Sequence, residues 1–158
     1  MAFEVKDVKN LAAVRVICPH DPALDKEAMA DTDILELYEE DPIRNESLLK
    51  FKEGMLPSIF VCNMKLSGKE SARIKDSMAG GQDDDKNMKI SYGSWEYAVV
   101  KTILKDIQNP GSIKFKKDSK GYVAESTMSE LEQFGIVQHL FVVYMKLSNP
   151  EVKDSAKN

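Results

Sequence analysis

The sequence predicts an α+β domain: a small antiparallel or mixed sheet packed with about three substantial helices, preceded by an extended N-terminal arm. Three observations carry that prediction. The apolar runs 12–18 and 59–66 are short and rich in branched residues, as strands are. Two Ser/Thr-x-x-Glu boxes, Ser67–Glu70 and Thr127–Glu130, stand where helices would begin. Apolar residues then recur at helical spacing after residue 94 and again after residue 127. A chain of 158 residues forms about one domain and buries roughly two-thirds of the surface its unfolded form exposes. With 42% hydrophobic and 30% charged residues it belongs among globular chains, not disordered ones. The expected division is an N-terminal strand with an acidic arm over 1–45, a compact core over 46–151 and a tail over 152–158.

Residues 12–18, Ala-Ala-Val-Arg-Val-Ile-Cys, read as the first strand, stopped by Pro19 and Pro22. An extended acidic connector follows. Within it Asp31-Thr32-Asp33 offers an N-cap to a short helix, Ile34–Tyr38, which must end before Pro42 because a pre-proline residue avoids helical geometry. A second short helix is expected around Glu46–Lys52, closed by Gly54. Pro57 then opens the second strand, Ile59–Leu66.

A strand leading through Gly68-Lys69 into a helix is also how a phosphate-binding loop is built. That cradle needs glycine five positions before Gly68, so that backbone amides surround the phosphates, and Ser or Thr after the lysine to hold magnesium. Asn63 and Glu70 stand there instead. Ser67–Glu70 is therefore read as a capping box for a helix running to about Met78. The stretch 79–87, Ala-Gly-Gly-Gln-Asp-Asp-Asp-Lys-Asn, ends it. Its three consecutive acids lack the alternation, the sixth-position glycine and the twelfth-position glutamate of a calcium loop, so a solvated loop is expected.

After a short strand at Met88–Tyr92, a helix from Ser94 to Ile107 places Val99, Val100, Ile103, Leu104 and Ile107 on one stripe. Trp95, the sole tryptophan, lies in its first turn and either closes one end of the core or anchors a partner. Beyond Asn109-Pro110-Gly111, residues 112–125 read as a hairpin: Ile113–Lys117, a turn at Asp118–Gly121, then Tyr122–Ala124. The last helix is expected to run unbroken from the Thr127–Glu130 box towards Pro150, with Leu131, Phe134, Val137, Leu140, Phe141 and Tyr144 at helical spacing. Ile136, Val142 and Val143 fall outside that stripe, so this helix is either central to the fold or shared with another chain. Residues 152–158 are expected to fray.

Net charge is −4, but it is unevenly spread. From Asp21 to Glu46 ten acids against Lys26 and Arg44 give −8, whereas from Lys101 to Lys120 six lysines against Asp106 and Asp118 give +4. Such asymmetry steers complementary surfaces together, within one molecule or between neighbours; the plainer alternative is two solvated faces. Candidates for a protein contact are Glu36, Glu39, Glu40 and Asp41 on the acidic side and Lys114, Phe115, Lys116, Lys117 and Tyr122 on the basic hairpin, together with Trp95. The same lysines and aromatics suit phosphate pairing and base stacking, which the acidic total disfavours, or simple protection of an edge strand.

Catalytic chemistry is thinly represented. Cys18 and Cys62 are too few for a disulfide scaffold, and a reducing compartment leaves them as thiols. With His20 and His139 they would make four zinc ligands, but neither Cys-x-x-Cys nor His-x-x-x-His spacing occurs. Cys18 and His20 share a strand face as a nucleophile pair without a third group to orient them. No catalytic, metal-ligating or cofactor-binding residue is assigned, and no cofactor is expected. No apolar stretch reaches the ~18 residues that span a bilayer, and the start lacks a basic region followed by an apolar run. A cytosolic product with no membrane partner is expected.

Three stretches, SLLKFKEGMLPSIFVCNMKLSGKESARI, ISYGSWEYAVVKTIL and SELEQFGIVQHLFVVYMKLSNPE, together resemble the small accessory proteins of tailed bacteriophages, of the virion or of its assembly. The likeness covers about residues 47–151 and is one of layout: a short polar helix, Lys-Glu-Gly, proline and a strand, a capped helix, a Tyr-Gly turn into an amphipathic helix, and a terminal helix ending in Leu-Ser-Asn-Pro. No site residue carries over from it. The resemblance implies a non-enzymatic protein acting through protein contacts, either built into a head, neck or tail structure or chaperoning tail assembly. Its partners would be further copies of itself and other structural proteins, in the host cytoplasm during assembly and then in the virion. The alternatives are a cytosolic binding or regulatory module, reaching nucleic acid through the lysine-rich hairpin, and a small enzyme with an unrecognised site.

Overall fold

Short apolar runs build the sheet. In the computed structural model, which describes residues 11–29, 48–79 and 92–148, β1 is Val14–Val16, β2 is Ile59–Cys62 and β3 is Leu104–Gln108. They form a three-stranded sheet in the order β1-β2-β3, antiparallel throughout. Register sets two apolar rows across all three strands: Val14–Cys62–Leu104 and Val16–Phe60–Ile107. All six side chains are buried. The first two strands are shorter than the apolar runs that contain them.

The third strand departs from the expected helix, and a bulge explains why. Phe60 pairs with Ile107 and Val61 with Asp106, but Cys62 pairs with Leu104, which leaves Lys105 as an extra residue in β3. Leu104 and Ile107 thereby lie on the same face although three positions apart. That spacing mimics a helix. The helix itself, α2, is Tyr92–Ile103, so Tyr92 opens it instead of ending a strand, and it buries Ala98, Val99, Val100 and Ile103.

Helix α1, Gly68–Ala79, begins at the box the sequence marks. The Glu70 amide donates to Ser67 Oγ and the Ser67 amide donates to Glu70 Oε1, both at 3.1 Å. The Thr127–Glu130 box does not cap: α3 runs Glu125–Gln133 with Ala124 at its N-cap and no side-chain cap bond. Thr127 is inside the helix and completely buried. Nor does the last helix run unbroken. Gly135, at φ +70°, turns the chain after α3 and a second helix, α4, spans Ile136–Ser148. A left-handed residue ends a helix because the chain must leave the α region there, and glycine does so without steric cost.

The helix expected at Glu46–Lys52 is absent from Leu49 onward. Phe51 instead forms an antiparallel bridge with Leu24, flanked by Asp25 N–H to Lys50 O and Lys52 N–H to Ala23 O, each 2.8 Å. Burial of Leu24 and Leu49 favours this pairing over a short isolated helix, whose nucleation cost is poorly recovered. The described part of the acidic connector is packed, too, since Asp21 accepts the amides of Ala23 and Ser58 and is itself buried. The helix expected at Ile34–Tyr38, the loop at 80–87, residues 88–91 of the expected strand and the tail lie outside the described residues.

Helix α1 packs on α2, α2 on α4 and α3 on α4. Helix α4 packs against α2 and α3 and buries Ile136, Val137, His139, Leu140, Phe141, Val143 and Leu147. Only a narrow stripe, Gln138, Val142 and Lys146 with the helix end, faces water. Burial, and after it the neighbouring His20, lowers the His139 pKa to about 4 from 6.5. The neutral form is favoured in the fold, so the unfolded chain binds more protons between those values and stability falls as pH drops through that window. Acid titration of denaturant unfolding should show a loss of about 3 kcal/mol between pH 6.5 and 4. His139→Gln should flatten that part of the curve.

Candidate functional site

The lysine-rich segment is held by helix α3 rather than by a partner strand. The Lys116 amide donates to Thr127 Oγ1 at 2.9 Å, Thr127 Oγ1 donates to the Lys114 carbonyl at 2.8 Å, and the Lys114 amide reaches Glu130 Oε2 at 3.4 Å. Both residues of the Thr-x-x-Glu box are thus used for tertiary contact. The expected hairpin is reduced to one bridge, Lys117 with Val123, although its turn forms as expected: Asp118 N–H donates to Tyr122 O and Gly121, at φ +87°, donates to Asp118 O.

Asp118 organises this turn. Its Oδ1 accepts the amides of Tyr122 and Lys120, and its Oδ2 lies 3.6 Å from the Lys101 ammonium. The Tyr122 amide foremost, with Lys120 and Lys101 behind it, holds the carboxyl below the usual carboxylate range against a partial loss of hydration. Lys101 reaches across from the last turn of α2, donating to Val123 O and to Glu125 Oε1, each at 2.9 Å. Glu125 also accepts from the Tyr97 hydroxyl.

On the other side of the turn, the Arg73 guanidinium lies 3.9 Å from the Tyr122 ring centroid and donates to Thr102 Oγ1, which passes a bond to Ala98 O. The bulged Lys105 sits 5.6 Å from the same ring and 3.9 Å from Glu70 Oε2. Sequence reasoning missed Arg73, Lys101, Lys105, Glu125 and the role of Thr127. Nothing local marks them, because each acts on a residue far along the chain.

The structure therefore divides the basic run. Of its six lysines, Lys101 and Lys105 serve the fold. Lys114, Lys116, Lys117 and Lys120 are exposed, and none joins an ion pair among the described residues. Phe115 is half-buried beneath Lys117, whose ammonium lies 6.0 Å from the ring centroid. Trp95 is not brought to this strip; it is half-buried and packs edge-on against Phe141, centroids 4.9 Å apart. The acidic candidates Glu36, Glu39, Glu40 and Asp41 lie outside the described residues.

Burial settles the reactivity of the thiols. It pushes Cys18 up to about 12, with the Asp21 charge adding to the effect. Burial and then Cys18 push Cys62 higher still, against the pull of Lys105. Both thiols are held in the protonated form at neutral pH, which counts against Cys18 as a nucleophile. The His20 ring Nε2 is 2.8 Å from the Phe134 carbonyl, tying the first strand's exit to the α3–α4 corner. Among the described residues no group of three or more His, Cys, Asp or Glu side chains is placed to hold a metal, and no helix is long and apolar enough to cross a membrane. No protein-family model matches this chain, and neither a curated protein nor a solved structure matches it.

The fixing of the strip by one buried hydroxyl is testable. Thr127→Val keeps the shape but leaves the Lys116 amide and Lys114 carbonyl without their partner, and should cost about 1–3 kcal/mol in denaturant unfolding. Faster amide exchange at Lys116 should accompany it.

Proposed function

We propose that this chain is a non-enzymatic structural or assembly protein acting through protein–protein contacts, as the accessory virion and assembly proteins of tailed bacteriophages do. One observation carries the reading: four ammonium groups, those of Lys114, Lys116, Lys117 and Lys120, are displayed on a backbone pinned by Thr127, Glu130 and Asp118, yet serve no ion pair among the described residues. A positioned cationic strip with no ion pair among the described residues suits an anionic protein face, because little order has to be imposed on binding. The sequence carries matching carboxylates at Glu36, Glu39, Glu40 and Asp41, which a neighbouring copy would supply.

The nucleic-acid reading is weakened by the same geometry. Stacking needs an open aromatic face, and the Tyr122 ring is covered by Arg73 while Phe115 lies half-buried beneath Lys117. Phosphate pairing by the lysines alone would remain.

Solution mass, measured by sedimentation across concentration and salt, tests the proposal. Discrete oligomers should form at low ionic strength and dissociate as salt rises, since contacts between exposed charges are screened. Replacing Lys114, Lys116 and Lys117 together by Glu should abolish them. Oligomers that survive that change would sink the electrostatic contact, and a monomer at every condition would sink self-assembly.

A further inference from the structure

A second surface has no part in the lysine strip. Leu48, Phe51, Met55 and Leu56 are 54%, 37%, 43% and 74% exposed, a dense run of large apolar side chains left in water. The backbone at Phe51 has an open side. In the bridge between Leu24 and Phe51, the hydrogen bonds are made by the flanking residues, Asp25 to Lys50 and Lys52 to Ala23. That pattern turns the N–H and C=O of Phe51 away from Leu24, toward the outer side. There they have no backbone partner among the described residues.

The chemistry of an occupant follows from these features. The outward N–H and C=O of Phe51 call for an extended backbone, because a helix has satisfied its own. The apolar side chains call for apolar ones. Lys50 and Lys52 flank Phe51, both exposed and in no ion pair among the described residues, and they call for carboxylates. Self-pairing is disfavoured on the same ground. Two copies of this edge meeting antiparallel about Phe51 would set Lys50 of one against Lys52 of the other, like charges directly opposed. Lysines do guard ordinary edges, but a guard alone leaves the neighbouring apolar residues unexplained.

We propose that residues 48–56 form a strand-addition site for a different protein, which contributes an extended segment alternating apolar and acidic side chains. Its backbone pairs with Phe51, its apolar residues cover Leu48, Met55 and Leu56, and its carboxylates meet Lys50 and Lys52. This surface is separate from the 114–120 strip, and its proposal stands or falls independently.

The test titrates the full chain with a capped octapeptide alternating leucine and glutamate, and with a leucine–lysine counterpart, followed by amide shifts and hydrogen exchange. The acidic peptide should bind saturably and slow exchange at the Phe51 amide about tenfold or more, while the basic one should not bind. Lys50→Glu combined with Lys52→Glu, and separately Leu56→Asp, should each weaken binding about tenfold. Leu56 is 74% exposed, so that variant should keep the parent's thermal transition. Four results would each overturn the proposal: no peptide-dependent change at Phe51, equal binding of both peptides, binding indifferent to the variants, or protection that rises with protein concentration alone, which would mean that the edge pairs with a second copy.

Discussion

Helix α2 passes into strand β3 without a connecting residue. Ile103 is the last helical residue and Leu104 the first of the strand, and both are buried. Because the chain cannot swing between them, the direction of the sheet and the position of the helix are fixed together. The Ile103 carbonyl accepts the Asn63 amide at 2.8 Å, so β2 is tied to the same point. Lys101 and Lys105 stand on either side of the junction and between them grip the 118–125 turn, one through Glu125 and Asp118, the other beside Tyr122. The basic strip inherits its position from this arrangement.

Polar groups are buried sparingly, and those that are buried bind remote segments. Thr127 joins α3 to the 114–116 segment, Asp21 joins the exit of β1 to the entry of β2, and Thr102 joins α2 to Arg73 on α1. Each would be costly to leave without a partner in a place where water cannot substitute. Such bonds therefore act as alignment constraints on an otherwise apolar core. Salt bridges contribute less: the Glu125 carboxylate opposite Lys101 is largely solvated, where attraction is screened and side-chain ordering offsets much of it.

The sequence was readable where structure is local and misleading where it is not. Ser67 and Glu70 cap α1 as their spacing indicates, because both partners lie within one helical turn. Thr127 and Glu130 have the same spacing but turn to a segment more than ten residues upstream, a choice no local pattern reveals. Leu104 and Ile107 imitate a helical stripe because of one extra residue at Lys105, visible only once β2 is in place. Gly135 interrupts a run whose apolar periodicity continues on both sides, so the turn is masked by the residues around it. In the candidate site, the exposed lysines were legible from composition and turn chemistry. Their scaffold was not, since Arg73 and Lys101 act across tertiary space.

The sheet register has a further consequence for how the chain reaches this state. Val16 pairs with Phe60 and Phe60 with Ile107, so each strand joins a neighbour about forty-five positions away. Helices α3 and α4, by contrast, meet across a single turn at Gly135. Loop closure must be met before a distant pairing returns any stabilisation, whereas the helical pair can form and dissolve locally. The C-terminal helices would accordingly gather early and the sheet would zip last, with β2 as the member both other strands must wait for. Synthesis in the cell runs against that order, because all three strands leave the ribosome before α3 and α4.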